Sequence, residues 1–177
     1  LTGNCNGSTF TNCLFAANCN VTFGQNQNNR GGGGTSEMSA LGNTVSFESC
    51  TFAYNVSGTC PTAGINLQTG TANIHNCIFF GNVVSTQFGK AADLYLRSTN
   101  ARANISYCSF TDYATTVKAA AGTLNPTVGT VLEGDPLFAT SLTDYGKGYP
   151  TSESLTFASF DACEQFDVHL RSSEGRW

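Results

Sequence analysis

The sequence predicts an all-β fold: a single-stranded right-handed parallel β-helix (a solenoid) with about three short strands per coil and an irregular C-terminal closing segment. Three observations carry this. First, Cys-x-Phe-x-x-Asn occurs in NCLFAAN (12–18), SCTFAYN (49–55) and NCIFFGN (76–82), and YCSFTDY (107–113) keeps the Cys and Phe but has Tyr113 where the Asn belongs. Second, the residues upstream of each copy alternate with strand parity. Third, only 11% of the residues are charged against 40% hydrophobic, with 19 Gly and 13 Phe. Long runs of helix formers are missing, and this composition is that of a turn-rich β protein.

The elements follow in chain order within one coil. A strand opens each coil where small residues precede alternating apolar ones, at 63–67 (AGINL) and 92–96 (ADLYL), with a weaker counterpart where the GGGG of 31–34 runs into 35–38. A second strand places Ser8, Val45, Ala72 and Ala103 five residues before the Cys, and Phe10, Phe47, Ile74 and Ile105 three before it. These two positions share one face, and so do the Cys and the Phe after it. The step of three between the pairs is odd, so an unbroken strand would put them on opposite faces. A corner just before each Cys removes the conflict, at Asn12, Ser49, Asn76 and Tyr107. Asn tolerates the left-handed backbone such a corner needs.

The third strand then carries the repeat itself. Phe15, Phe52, Phe79 and Phe110 form a core column, one per coil. Cys13, Cys50, Cys77 and Cys108 are small apolar residues beside the corner. Asn18, Asn55 and Asn82 sit at the next corner, where stacked amides satisfy backbone groups that no sheet reaches. The cysteines are 37, 27 and 31 residues apart, so coils share one wall and differ in their loops. Residues 1–112 are read as the coils and 113–177 as the closing segment of the same domain. Its best helix candidate, 113–121, is short and β-branched. The Leu-Thr start and Gly-Arg-Trp end read as a piece cut from a longer protein.

The Phe-x-x-Asn copies FAAN (15–18), FAYN (52–55) and FFGN (79–82), with AGI (63–65), AADL (91–94) and GGGG (31–34) between them, resemble the repeats of chlamydial polymorphic membrane proteins. More broadly they resemble right-handed parallel β-helix surface and secreted proteins. The segments DPLF (135–138) and DVHL (167–170) are similar to the closing coils of secreted bacterial β-helices. The resemblance implies an extracellular β-helix used for adhesion or display.

Chemistry-bearing residues are sparse. The net charge of −4 excludes a basic nucleic-acid footprint, and no segment reads as a membrane insertion. No phosphate loop, nucleophile elbow or zinc-protease motif occurs, and no cofactor is implied. A polysaccharide lyase or hydrolase needs clustered carboxylates with a base nearby. The best such grouping is Asp93, Lys90 and Arg97 on an outer face beside Glu48 of a neighbouring coil. His75 has outward parity, in line with Thr11, Glu48 and Ser106, and His169 falls in the closing strand. Asp135 and Asp167 are read as turn caps.

Eight cysteines point to an oxidising compartment. The four repeat cysteines would stand in a line, which is wrong for tetrahedral zinc, and are read as buried free thiols. Cys5, Cys19, Cys60 and Cys163 are freer to pair, with Cys5–Cys19 one local disulfide among the pairings open to them. Sequons stand at Asn6, Asn20, Asn55 and Asn104, and the ladder position of Asn55 makes it too buried to modify.

The expected function is a non-enzymatic extracellular surface or structural β-helix, an adhesin-like display rod with long loops at 19–43 and 56–62, or a filament-forming scaffold. The alternatives are a polysaccharide-active enzyme and a carbohydrate-binding module. Its partners would be further copies stacked head to tail, other segments of a parent protein, or a carbohydrate or host surface.

Overall fold

The computed structural model describes residues 3–4, 7–16, 18–20, 37–57, 61–84 and 90–136. The first level of the solenoid holds β1 (Gly3–Asn4), β2 (Thr9–Thr11), β3 (Leu14–Ala16) and β4 (Cys19–Asn20). The next two levels are β5 (Glu37–Glu48), β6 (Thr51–Ala53) and β7 (Val56–Ser57), then β8 (Ile65–His75), β9 (Ile78–Phe80) and β10 (Val83–Val84). Above them lie β11 (Leu94–Leu96), β12 (Ala101–Ser106) and β13 (Cys108–Phe110). A single helical turn, α1 (Tyr113–Thr116), leads into β14 (Val117–Ala119), β15 (Thr123–Pro126) and β16 (Val131–Glu133).

Among the described residues every pairing is parallel, and the strands form three sheets of eight, three and five strands. The chain is therefore a β-solenoid. Equivalent residues of successive motifs pair directly: Phe15 with Phe52 and Phe52 with Phe79, then Phe79 with Phe110. The upstream set does the same, Phe10 with Phe47, Phe47 with Ile74 and Ile74 with Ile105.

Corner geometry explains the odd step of three. Asn12, Ser49, Asn76 and Tyr107 all have φ between 52° and 55°. A left-handed residue reverses the face that its neighbours present, so both apolar pairs point inward. Ser49 and Tyr107 adopt the same conformation although neither shares the left-handed tolerance of Asn, so stacking on neighbouring coils overrides local preference.

The interior consists of columns. Phe15–Phe52, Phe52–Phe79 and Phe79–Phe110 stack at 4.6, 4.7 and 4.9 Å with rings within 6° of parallel. A second column begins with Phe10 on Phe47 at 5.1 Å. Phe47 meets Phe52 edge-on at 5.5 Å and 72°, an arrangement that joins the columns. Phe52, Phe79 and Phe110 are fully buried, whereas Phe10, Phe15 and Cys13 in the first level are half-buried.

Several sequence expectations change. The first two strands of a coil run on as one strand in β5 and β8, with the junction marked by Gly70 at φ 88° and by a shift of register between Ser39 and Thr44. A further short strand follows each ladder Asn, in β4, β7 and β10. Those strands also shorten the expected loops: Cys19–Asn20, Glu37–Ser39 at the start of β5 and Val56–Ser57 are all paired. Coils do not stop at residue 112, since β14, β15 and β16 stack in register on β11, β12 and β13. The helix candidate at 113–121 is helical only over Tyr113–Thr116 and becomes strand at Val117. The segments 31–34, 137–138 and 167–170, along with His169, lie outside the described residues.

Candidate functional site

Two rows of asparagine run along the rod, one inside and one outside. The inner row begins at Asn18, which is exposed at this end, and continues through the buried Asn55 and Asn82. Asn18 Nδ2 donates to Asn55 Oδ1 at 2.9 Å, and Asn55 Nδ2 donates to Asn82 Oδ1 at 2.9 Å. The same Oδ1 atoms accept from the backbone N–H of Asn18 and Asn55 at 3.1 and 3.0 Å. Each amide also closes a corner of the level before it: Asn55 Nδ2 reaches Phe15 O at 2.8 Å and Asn82 Nδ2 reaches Phe52 O at 2.9 Å. Asn55 and Asn82 thus meet the corner's backbone requirement. The residue before Asn82 is Gly81 at φ 64°, and a Cβ there would come within 2.7 Å of the Tyr54 ring.

At the next level the motif fails, and the chain compensates with a residue from elsewhere. Tyr113 takes the Asn position but packs its ring edge-on against Phe110 at 5.2 Å. Asn82 Nδ2 donates instead to Asp93 Oδ1 at 2.8 Å. Asp93 is 1% exposed, and its Oδ2 has no hydrogen-bond partner. Burial holds its carboxyl up at about 6, well above the usual carboxylate range. Gly64 admits this arrangement, because a Cβ there would lie 2.1 Å from Asp93 O.

This placement corrects the catalytic grouping expected from the sequence. Asp93 faces the interior while Lys90 and Arg97 are exposed, and Glu48 lies beside His75 on a different stretch of sheet. The small residues before Leu94 admit the chain closely enough for Asp93 to turn inward, which outward strand parity did not anticipate. The structure does not bring these four groups together as a site.

The repeat cysteines Cys13, Cys50, Cys77 and Cys108 are free thiols, and the last three are buried. Their sulfurs donate to backbone carbonyls, Cys50 to Phe10 O at 3.3 Å and Cys77 to His75 O at 3.2 Å. Burial raises the Cys50 thiol above its ordinary range, and Cys77 is raised by its contact with Cys108 and by burial. The proposed Cys5–Cys19 pair lies outside the residues whose side chains are described. Among the described residues, no group of three or more His, Cys, Asp and Glu could hold a metal ion, and no helix is long and apolar enough to cross a membrane.

The outer row was missed by sequence reasoning. Asn104 Nδ2 donates to Asn73 Oδ1 at 2.8 Å, and Asn125 Nδ2 donates to Asn104 Oδ1 at 3.1 Å. Their register partners on lower levels are Ser46 and Thr9. Beside this row runs Thr44, Thr71, Arg102 and Thr123, and on the other side Thr11, Glu48, His75 and Ser106. His75 Nδ1 lies 3.0 Å from Ser106 Oγ, and its ring meets Tyr107 edge-on at 5.4 Å. Tyr107 is 63% exposed. The signal was available as polar residues at outward parity in each second strand, but outward parity by itself marks only solvent.

The sequons divide along the same line. Asn55 is fully buried with both amide atoms bonded, whereas Asn104 is exposed. Asn6 and the Asn20 side chain lie outside the described residues. The fold and these rows define a β-solenoid with a polar outer sheet face. Comparison with protein-family models, curated proteins and solved structures finds no match.

Proposed function

We propose that the chain is a non-enzymatic extracellular scaffold, a rigid β-solenoid that presents its outer surface rather than a catalytic cleft. The observation that carries this is the use of Asp93. The carboxylate best suited by sequence to acid–base work is spent inside, ending the amide ladder. The extracellular part rests on the weakly charged, Asn-, Ser- and Thr-rich composition and on the resemblance to secreted β-helices, since the described cysteines are free thiols. The same reading includes head-to-tail contact between copies, for which β3 and β16 are the outermost strands of the five-stranded sheet among the described residues.

The test is incubation with a panel of neutral and acidic polysaccharides, followed by assay of reducing ends and unsaturated uronates. No release is expected. Release that disappears in Asp93→Ala, with the fold retained, would return the chain to the polysaccharide-active class. Sedimentation over a range of concentrations tests the stacking, and a species that stays monomeric throughout removes that part.

A further inference from the structure

We infer that the outer face of the eight-stranded sheet binds an extended, uncharged polysaccharide, with the Asn73–Asn104–Asn125 row as its hydrogen-bonding track and Tyr107 at its rim. This deepens the scaffold reading and rests on it. A primary amide has two N–H donors and an oxygen with two lone pairs. Asn104 spends one N–H on Asn73 and one lone pair on Asn125. One donor and one acceptor remain on the same rigid group, which matches a sugar hydroxyl that both donates and accepts. The ladder fixes the amides before any ligand arrives, so little side-chain freedom is lost on binding.

Spacing and charge select the ligand class. Rungs recur once per level, about 4.8 Å apart, the scale of one pyranose residue in an extended chain. The flanking rows supply hydroxyls from Thr71, Thr123 and Ser106, and the exposed charges of Arg102 and Glu48 oppose each other. A polyanion therefore finds no net positive track. A protein partner would look for a cluster of aromatic or aliphatic anchors, whereas the three rows are polar and Tyr107 stands singly at their rim. The exposed Tyr107 ring, braced by His75, offers a flat apolar surface to the C–H face of a sugar.

The test is affinity electrophoresis of the full chain in gels containing hydroxyethyl cellulose, glucomannan or alginate, against a gel with none. The expected result is retardation by a neutral polymer. That retardation should weaken by about fivefold or more in Asn104→Ala and in Tyr107→Ala, the loss of one or two hydrogen bonds or a stacking contact. Lys90→Ala, outside these rows, should migrate like the parent chain. Absence of retardation in both neutral gels, retardation only in alginate, or equal retardation of all variants would overturn the proposal. Reducing ends are assayed on the same samples. Binding with turnover would contradict the scaffold reading and leave the surface standing, whereas neither binding nor turnover would remove the surface alone.

Discussion

The inner and outer asparagine rows are built from the same side chain, at the same spacing, with the same amide-to-amide bond, yet they do different work. Inside, Asn55 uses both amide atoms and has no water to replace a lost partner. Outside, Asn104 makes two bonds and is exposed. A buried donor or acceptor left unpaired costs its full desolvation, about 1–3 kcal/mol each, whereas an exposed one is rehydrated. The inner row is therefore a structural requirement, and the outer row is a surface with bonding capacity to spare.

The largest effect expected lies in the column beside the inner row. Phe79→Ala removes a ring stacked on both neighbours, and denaturant unfolding should show a loss of about 3–5 kcal/mol. A loss below 1 kcal/mol would mean that the columns do not hold the coils together. The Asp93 end of the ladder comes next, because there the amide pattern is completed by a group that ionises. Its folded pKa of about 6 lies above the unfolded value near 3.9. The native state therefore holds the proton more tightly, and stability is highest below pH 4 from this group and falls as pH rises through 4 to 6. Asp93→Asn should remove that slope and stabilise the chain at pH 7 by up to about 3 kcal/mol. Unchanged pH dependence in the variant would show that Asp93 does not carry a buried charge. The smallest effect concerns reactivity. Native-state alkylation at pH 7.5, mapped by peptide mass spectrometry, should leave Cys50 and Cys77 unmodified, with modification appearing only after unfolding. Rapid labelling of either thiol in the native chain would contradict their burial.

Much of the inside was legible because it repeats. Phe at a fixed offset from Cys, and Asn three residues beyond it, are constraints that stacking imposes at every level, so the sequence carries several copies of one answer. The corner residues were legible from parity even where Ser49 and Tyr107 lack the usual preference. What repeats less was harder to read. Asp93 replaces a missing rung from the bend before β11, and its role depends on the path of 90–94 in space rather than on a motif. The outer row varies from Thr9 to Ser46 to Asn73, because solvent tolerates any polar group there, and only the register reveals it as a line. The strands after Asn18, Asn55 and Asn82 are two residues long, too short for alternation to show.

The most direct test compares one rung from each row under the same conditions. Urea denaturation of Asn55→Ala and Asn104→Ala against the parent chain reads both on one scale. Asn55→Ala should lose about 2–4 kcal/mol, because it removes a fully buried amide that bonds Asn82 Oδ1, the half-buried Phe15 carbonyl and the Asn18 amide at once. Asn104→Ala should change stability by less than about 0.5 kcal/mol, as surface substitutions usually do. Equal losses in the two variants, or a larger loss in Asn104→Ala, would contradict the division of one side chain into a structural row and a presenting row.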